Sequence, residues 1–227
     1  MAEITEASAY DEWFMRNQPL FESELRAIKS LLPDDWRTAV EIGCGTGLFA
    51  ERLGVDSGIE PSPPMAERAR ERGLTVMSGR AEDVPLANDS VDLALALGVL
   101  GYVAEFDVAL GELARVVEPG GQVVVAFLAA GRDFAALYDS AAERGAYPST
   151  LDWEMPYPLE MAQAAEWRSV DTVLDGLQSV GFVDVETAQT LTGDIDTAIQ
   201  EVESPTNGHD RGSWVVVQAT RSASESD

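Results

Sequence analysis

Three glycines alternate with small residues at Gly43, Cys44, Gly45, Thr46 and Gly47, and a carboxylate, Glu60, follows 13 residues after the last of them. Each glycine loses more conformational freedom on folding than an alanine would, roughly 0.5–1 kcal/mol in a regular element. Their spacing therefore implies a backbone that turns tightly and leaves no side chain where a nucleotide-like ligand lies. A carboxylate at the end of the next strand can accept both hydroxyls of a ribose. The glycines alone do not select the ligand. Gly45, Gly47 and Ala50 also satisfy the G-x-G-x-x-A form of the dinucleotide fingerprint, whose acidic residue falls about 20 residues on. Cys44 reads as a small filler of the turn, because no neighbouring base is apparent to activate its thiol.

The elements around this loop must hold it open. Apolar residues at Leu20, Phe21, Leu25, Ile28, Leu31 and Leu32 recur with a helical period that Pro33 ends. After that helix, "TAVEIG" (38–43) reads as a buried strand, "LFAERLG" (48–54) as a helix stopped by Gly54 and "SGIEPS" (57–62) as a second strand. Pro63 and Pro64 suit the first turn of the helix that Gly73 closes. "LTVMSG" (74–79), "VDLALALGVL" (91–100) and "QVVVAFL" (122–128) are further strands, the second apolar on both faces as in a sheet covered by helices. "EPGG" (118–121) reads as a turn. The alternation predicts an α/β fold, a doubly wound, Rossmann-like, mostly parallel sheet of seven strands. "FVDVETAQTL" (182–191) and "SWVVVQAT" (213–220), with no helix expected between them, predict an antiparallel hairpin at one edge. The expected organisation is an N-terminal helical cover over 1–37, a ligand-binding core over 38–128, a helical lid insert over 129–167, the C-terminal part of the sheet over 168–220, and a disordered tail over 221–227.

Composition narrows the function. Forty Asp and Glu against fifteen Lys and Arg give a net charge of −25, with Lys29 the only lysine. Nucleic-acid affinity rests on cations neutralising phosphates, so neither nucleic acid nor an anionic membrane is an expected partner. The acidic surface is that of a halophilic protein, and it would also steer a cationic ligand. One cysteine and one histidine, His209, exclude an internal disulfide and a cysteine-based zinc site, and no metal is expected. No apolar run approaches the roughly 20 residues that span a bilayer, and the acidic N-terminus does not look like a secretion signal, so a cytoplasmic location is expected.

Five motifs in order, "EIGCGTG", "GIEPS", "GRAEDVPL", "DSVDLAL" and "VEPGG", resemble the class I S-adenosylmethionine-dependent methyltransferases, in particular their small-molecule, methyltransferase-11-like branch. The resemblance covers 38–128, with "LQSVGF" and "GSWVVVQA" similar to that family's last helix and strand and "YDEWF" (10–14) similar to its N-terminal cover. It implies S-adenosylmethionine as cofactor. It also implies that Gly43, Cys44, Gly45 and Gly47 form the loop under the methionine and ribose, with Glu41 behind it, and that Glu60, followed by Pro61, binds the ribose. Ala81 matches the position whose amide meets the adenine ring. Leu97 and Gly98 lie near the amino-acid end. Arg80 stands where the family often has Asp, and a guanidinium accepts no hydrogen bond from the adenine amine; either Glu82 supplies the acceptor or stacking and backbone contacts hold the ring.

The implied reaction is direct displacement of the sulfonium methyl by a small-molecule acceptor, in which alignment and exclusion of water do most of the work. A general base is therefore optional, and Tyr102 and the carboxylates of the 129–167 insert are the candidates. Tyr10, Trp13, Phe14 and Tyr102 are the candidate substrate contacts. The alternatives are an NAD(P)-dependent oxidoreductase using the same glycine loop, which would want a base after the fifth strand that is not recognisable, and a non-catalytic S-adenosylmethionine-binding protein.

Overall fold

In the computed structural model, which describes residues 2–151 and 153–223, strand β1 (Ala39–Ile42) is buried on all four residues and forms the middle of one half of a single sheet. It pairs in parallel with β2 (Ser57–Ile59) and β4 (Val91–Leu97); β3 (Thr75–Met77) extends the sheet beyond β2, and β5 (Val117–Leu128) pairs in parallel with β4. β8 (Trp214–Arg221) runs antiparallel to β5, β6 (Phe182–Thr190) antiparallel to β8, and the order is β3-β2-β1-β4-β5-β8-β6-β7. β1 and β4 are buried on both faces, as their near-continuous apolar sequence requires. The chain reverses from β1 to β2 on one side and reaches β4 on the other, so the carboxyl end of β1 faces the switch point where open sheets take ligands.

Three local readings differ. The sheet has eight strands rather than seven, because β7 (Thr206–Asn207) adds two residues to the edge of β6. A four-residue helix, Ile195–Ala198, separates β6 from β8; it is one turn capped by Asp194, whose Oδ1 accepts from the Thr197 amide at 2.8 Å, and is too short to leave an apolar period. "EPGG" is a bulge within β5: Val117 pairs with Val91 and Gln122 with Leu93, the residues between them looping out around Gly120 at φ +83°. β8 continues through Arg221, and residues 224–227 of the expected tail lie outside the described residues.

Two helices cross the open end of the strands. Helix α1 (Ala2–Arg16) is followed after Asn17 by α2 (Gln18–Leu31), which has proline in its first turn and stops before Leu32, extended as the residue before Pro33 must be. α2 buries Leu20, Phe21, Leu25 and Ile28, and with them Ser23 and Glu24. The segment after β5 holds two more helices, Asp133–Arg144 and Leu159–Ala164, separated by a stretch carrying Trp153 and Tyr157.

Buried polar groups fasten these covers. Asn17 Oδ1 accepts from the Trp153 indole N–H at 2.5 Å, while its Nδ2 donates to the carbonyls of Trp13 (2.8 Å) and Met155 (3.0 Å). Arg72 donates to Asp11 Oδ2 at 2.8 Å and to the Thr46 carbonyl at 2.7 Å, which ties α1 directly to the glycine loop. The Asn17→Ala variant leaves a buried indole N–H unpaired, a loss expected to cost about 1–3 kcal/mol. Urea denaturation measures this, and an unchanged midpoint would show that the clamp does not hold the insert.

Candidate functional site

Gly43 and Gly45 are both left-handed, and they serve the loop in different ways. Gly43 has φ +70°, and a Cβ there would lie 2.3 Å from Cγ2 of Val99, just beyond the end of the neighbouring strand β4. Gly45 has φ +54°, and the space a Cβ would enter is open, its nearest neighbour being Tyr10 Cε1 at 3.9 Å. The amides of Gly43 and Cys44 both donate to the Ile59 carbonyl, at 2.8 and 3.0 Å, so the loop is pinned to the end of β2. One residue on, Glu60 Oε2 accepts from the Gly45 amide at 2.9 Å and Oε1 from the Ser62 amide at 2.8 Å. Glu60 is buried, and burial raises its pKa, opposed by those two amides. The carboxylate thus braces the loop with one lone pair on each oxygen and keeps its others for a ligand.

Loop and carboxylate open into a cavity of about 1090 Å³. Of the residues singled out from sequence, Gly43, Gly45, Glu60, Pro61, Arg80, Ala81, Glu82, Leu97 and Gly98 lie on its wall, as do Tyr10, Trp13, Phe14 and Tyr102. Glu41, Cys44 and Gly47 do not: they lie outside that wall. Glu41 is 1% exposed; burial pushes its pKa well up, the Ala50 amide opposing. Cys44 packs where Gly58 leaves room, 2.4 Å from the place of a Cβ there, and burial pushes its thiol up and out of reach of ionisation. Gly47 is the left-handed residue that starts the helix Leu48–Leu53, close against Ala69 and Leu74.

At the far end Arg80 and Glu82 are partners, Arg80 Nε lying 3.4 Å from Glu82 Oε2, and Glu82 Oε1 accepts from the Ala104 amide at 2.8 Å. Desolvation raises the Glu82 pKa, but the amides of Glu82 and Ala104 with Arg80 outweigh it and the net shift is downward. Glu82 is therefore an ionised acceptor on the cavity wall. Tyr102 Oη lies 2.7 Å from Tyr157 Oη, and burial pushes its pKa up to about 12 despite that bond. A hydroxyl held so firmly protonated is a donor at neutral pH rather than a resident base.

The sequence reading missed the other half of the wall. Phe49, Phe134, Tyr138, Tyr157, Trp167 and Trp214 line it, with Glu24 among them. Tyr138 and Tyr157 stack at 5.0 Å, Trp13 meets Tyr157 edge-on at 5.1 Å, and Phe49 lies parallel to Trp214 at 6.5 Å. Glu24 is 5% exposed, and among the described residues its carboxyl has neither a hydrogen-bond nor an ion-pair partner. Burial alone raises its pKa to about 8. Its spacing held the signal: Glu24 is four residues from both Leu20 and Ile28, on the apolar stripe of α2.

A raised carboxyl pKa contributes stability below the unfolded value, 4.5, that is lost as pH rises through about 8. The Glu24→Gln variant should therefore melt close to the parent chain below pH 4.5 and above it beyond pH 8. Melting curves that run parallel across that window would contradict the burial of an uncompensated carboxyl.

A family model described as "Methyltransferase domain" matches residues 40–125. The crystal structure of an S-adenosylmethionine-dependent methyltransferase from Thermotoga maritima, titled a "possible histamine N-methyltransferase", is 32% identical, covers 93% of this chain and 94% of its own, and superposes with a TM-score of 0.81. An uncharacterized protein of Methanocaldococcus jannaschii is 26% identical over 95% of this chain and 96% of its own length. An uncharacterized protein of Mycobacterium tuberculosis is 34% identical over 142 residues, 62% of this chain, and the match spans half of that longer relative.

Proposed function

Because the chain belongs to the class I S-adenosylmethionine-dependent methyltransferases, we propose that it transfers the methyl group to a small-molecule acceptor by direct displacement within the cavity described above. The observation that carries this reading is the Glu60 carboxylate, braced by the Gly45 and Ser62 amides beside a loop with no side chain at Gly45. Such a cradle fits an adenosyl group: the open face over Gly45 admits a ribose, and Glu60 retains lone pairs for its two hydroxyls. Gly43, Gly45, Glu60 and Pro61 would hold the ribose and methionine portion, Ala81 and Glu82 the adenine, and Leu97 and Gly98 the amino-acid end. The bound cofactor supplies an electrophilic methyl group on a sulfonium sulfur.

The chain's own residues supply position and dryness. Glu82 resolves the problem posed by Arg80: it is the ionised acceptor for the adenine amine, and Arg80 serves as its counter-ion. α1 and the segment 129–167 bring Tyr10, Trp13, Phe14, Tyr138 and Tyr157 over the cavity, where apolar ring faces exclude water from the reacting centre. Well-aligned partners in a dry site recover roughly 7–11 kcal/mol of barrier without any acid or base. Tyr102, protonated and bonded to Tyr157, fits an orienting donor.

Glu60→Gln is expected to weaken S-adenosylhomocysteine binding by about 1.5–3 kcal/mol, the worth of hydrogen bonds to a charged acceptor. In the parent chain the affinity should fall on acidification, starting above the ordinary carboxylate value of 4.5 because burial raises this group. Titration calorimetry across pH tests both; equal, pH-independent affinity in the two proteins would remove Glu60 from the site.

The net charge of −25 is read as that of a halophilic protein, whose self-repulsion is relieved by screening. Its melting temperature should rise with added potassium chloride. A salt-independent melt would assign the charge to steering alone.

A further inference from the structure

Glu24 is the one buried carboxyl on the cavity wall that no described residue compensates; Glu160, also on the wall, is exposed to solvent. Glu60 is braced by two backbone amides and Glu82 by an amide and a guanidinium, whereas Glu24 has no described donor or cation beside it. The groups that sense its charge are the buried phenols Tyr10 and Tyr138. It shares the wall with the rings of Trp13, Phe14, Phe49, Phe134 and Trp214 and with Leu20 and Leu191, the indole N–H groups of Trp13 and Trp214 having no partner among the described residues. The only cation on the whole wall, among the described residues, is Arg80, at the adenine end and engaged by Glu82.

The location separates Glu24 from the cofactor. α2 packs chiefly on β6 and β8, on the far side of β4 from β1 and β2, and also touches β5 and the helix Leu48–Leu53 that follows the glycine loop. The glycine loop and Glu60 lie at the ends of β1 and β2. Trp214, at the start of β8, comes within 3.6 Å of where a Cβ on Gly98 would lie, so the aromatic half borders the end of β4 and extends from there toward β8. Whatever fills it is the acceptor.

Aromatic faces attract cations through their negative quadrupole, the more strongly when dry. A lone buried carboxyl with no cation in reach is a costly arrangement unless a ligand brings the positive charge. The surface excess of 25 negative charges draws cations toward the molecule and repels anions. We propose that the Glu24 half of the cavity receives the amino group of a small, aromatic or aliphatic amine, and that the chain is an N-methyltransferase in which Glu24 binds the ammonium and takes its proton. This rests on the methyltransferase reading given above.

The step balances without a further reagent. The arriving ammonium displaces the proton of the Glu24 carboxyl to solvent and pairs with the carboxylate, then gives that carboxylate one of its own protons, freeing the nitrogen lone pair. That pair forms the new N–C bond to the methyl as the C–S bond breaks, with its electrons left on sulfur. The products are a methylated ammonium, neutral S-adenosylhomocysteine and a protonated Glu24, the form the empty cavity holds at neutral pH; the proton lost to solvent in each cycle is the one displaced when the ammonium binds. A carboxyl whose pKa is raised by burial is closer to an amine in proton affinity than an exposed one, so the transfer is not steeply uphill.

The test offers the parent chain methyl-labelled S-adenosylmethionine with three pools of matched carbon skeleton, namely arylalkyl and alkyl amines, the corresponding alcohols and the corresponding carboxylic acids. Mass spectrometry identifies the products. Label is expected on nitrogen and in the amine pool alone. Glu24→Gln, with its fold checked by melting, should lower transfer roughly 100-fold while leaving S-adenosylhomocysteine affinity unchanged, and Glu24→Asp should restore part of it. A second readout needs no turnover. Titrating phenethylamine into the chain loaded with S-adenosylhomocysteine should release protons at neutral pH, seen as buffer-dependent heat, and the Gln variant should show no such release. Label in the alcohol or acid pool, no label in any pool from a chain that binds S-adenosylhomocysteine, or a Gln variant equal to the parent would overturn the proposal. A chain that does not bind S-adenosylhomocysteine at all would instead overturn the reading beneath it.

Discussion

A single carboxylate organises the ligand end of this fold. Glu60 sits at the end of β2, and by accepting the amides of Gly45 and Ser62 it fixes the loop after β1 relative to the start of the next helix. The loop cannot relax toward the core, because Gly43 is already against Val99, nor toward solvent, because Gly43 and Cys44 are bonded to the Ile59 carbonyl. Burial makes the carboxylate costly on its own, and the two amides are what oppose that cost. The same desolvation strengthens any hydrogen bond it makes to a ligand.

The covering elements inherit their position from this loop. Arg72 reaches from the end of the helix Pro63–Glu71 to the Thr46 carbonyl and to Asp11 of α1 at once, so the cover is registered on the glycine loop itself. Asn17 then passes that register to the segment after β5 through Trp153 and Met155. Both links are hydrogen bonds to groups that are largely removed from water, where geometry is enforced more strictly than at a surface. The aromatic half of the cavity is assembled from four separate stretches, α1, Phe49, residues 134–167 and Trp214, and these links join α1 to the stretch after β5.

The sheet was legible because its strands carry near-continuous apolar runs bounded by glycine and proline, and the ligand loop because its glycines and Glu60 are local in sequence. What escaped was non-local or short. A four-residue helix and a two-residue strand leave no periodicity, and "EPGG" reads as a turn whether it ends an element or bulges within one. Residues of one motif divide between wall and support, Gly45 on the cavity and Glu41 outside its wall, a distinction that spacing does not carry. The aromatic half was invisible as a unit since Leu20, Glu24, Tyr138, Tyr157 and Trp214 are scattered along the chain, and only the charged residue on the apolar stripe of α2 signalled it.

Whether the braced carboxylate is the ribose anchor is decided most directly by a crystal structure of the chain with S-adenosylhomocysteine. The account predicts the adenosyl group over Gly45, Glu60 still holding the Gly45 amide and both ribose hydroxyls on its remaining lone pairs. A nucleoside bound elsewhere in the cavity, or Glu60 rotated into water with the loop refolded, would contradict it.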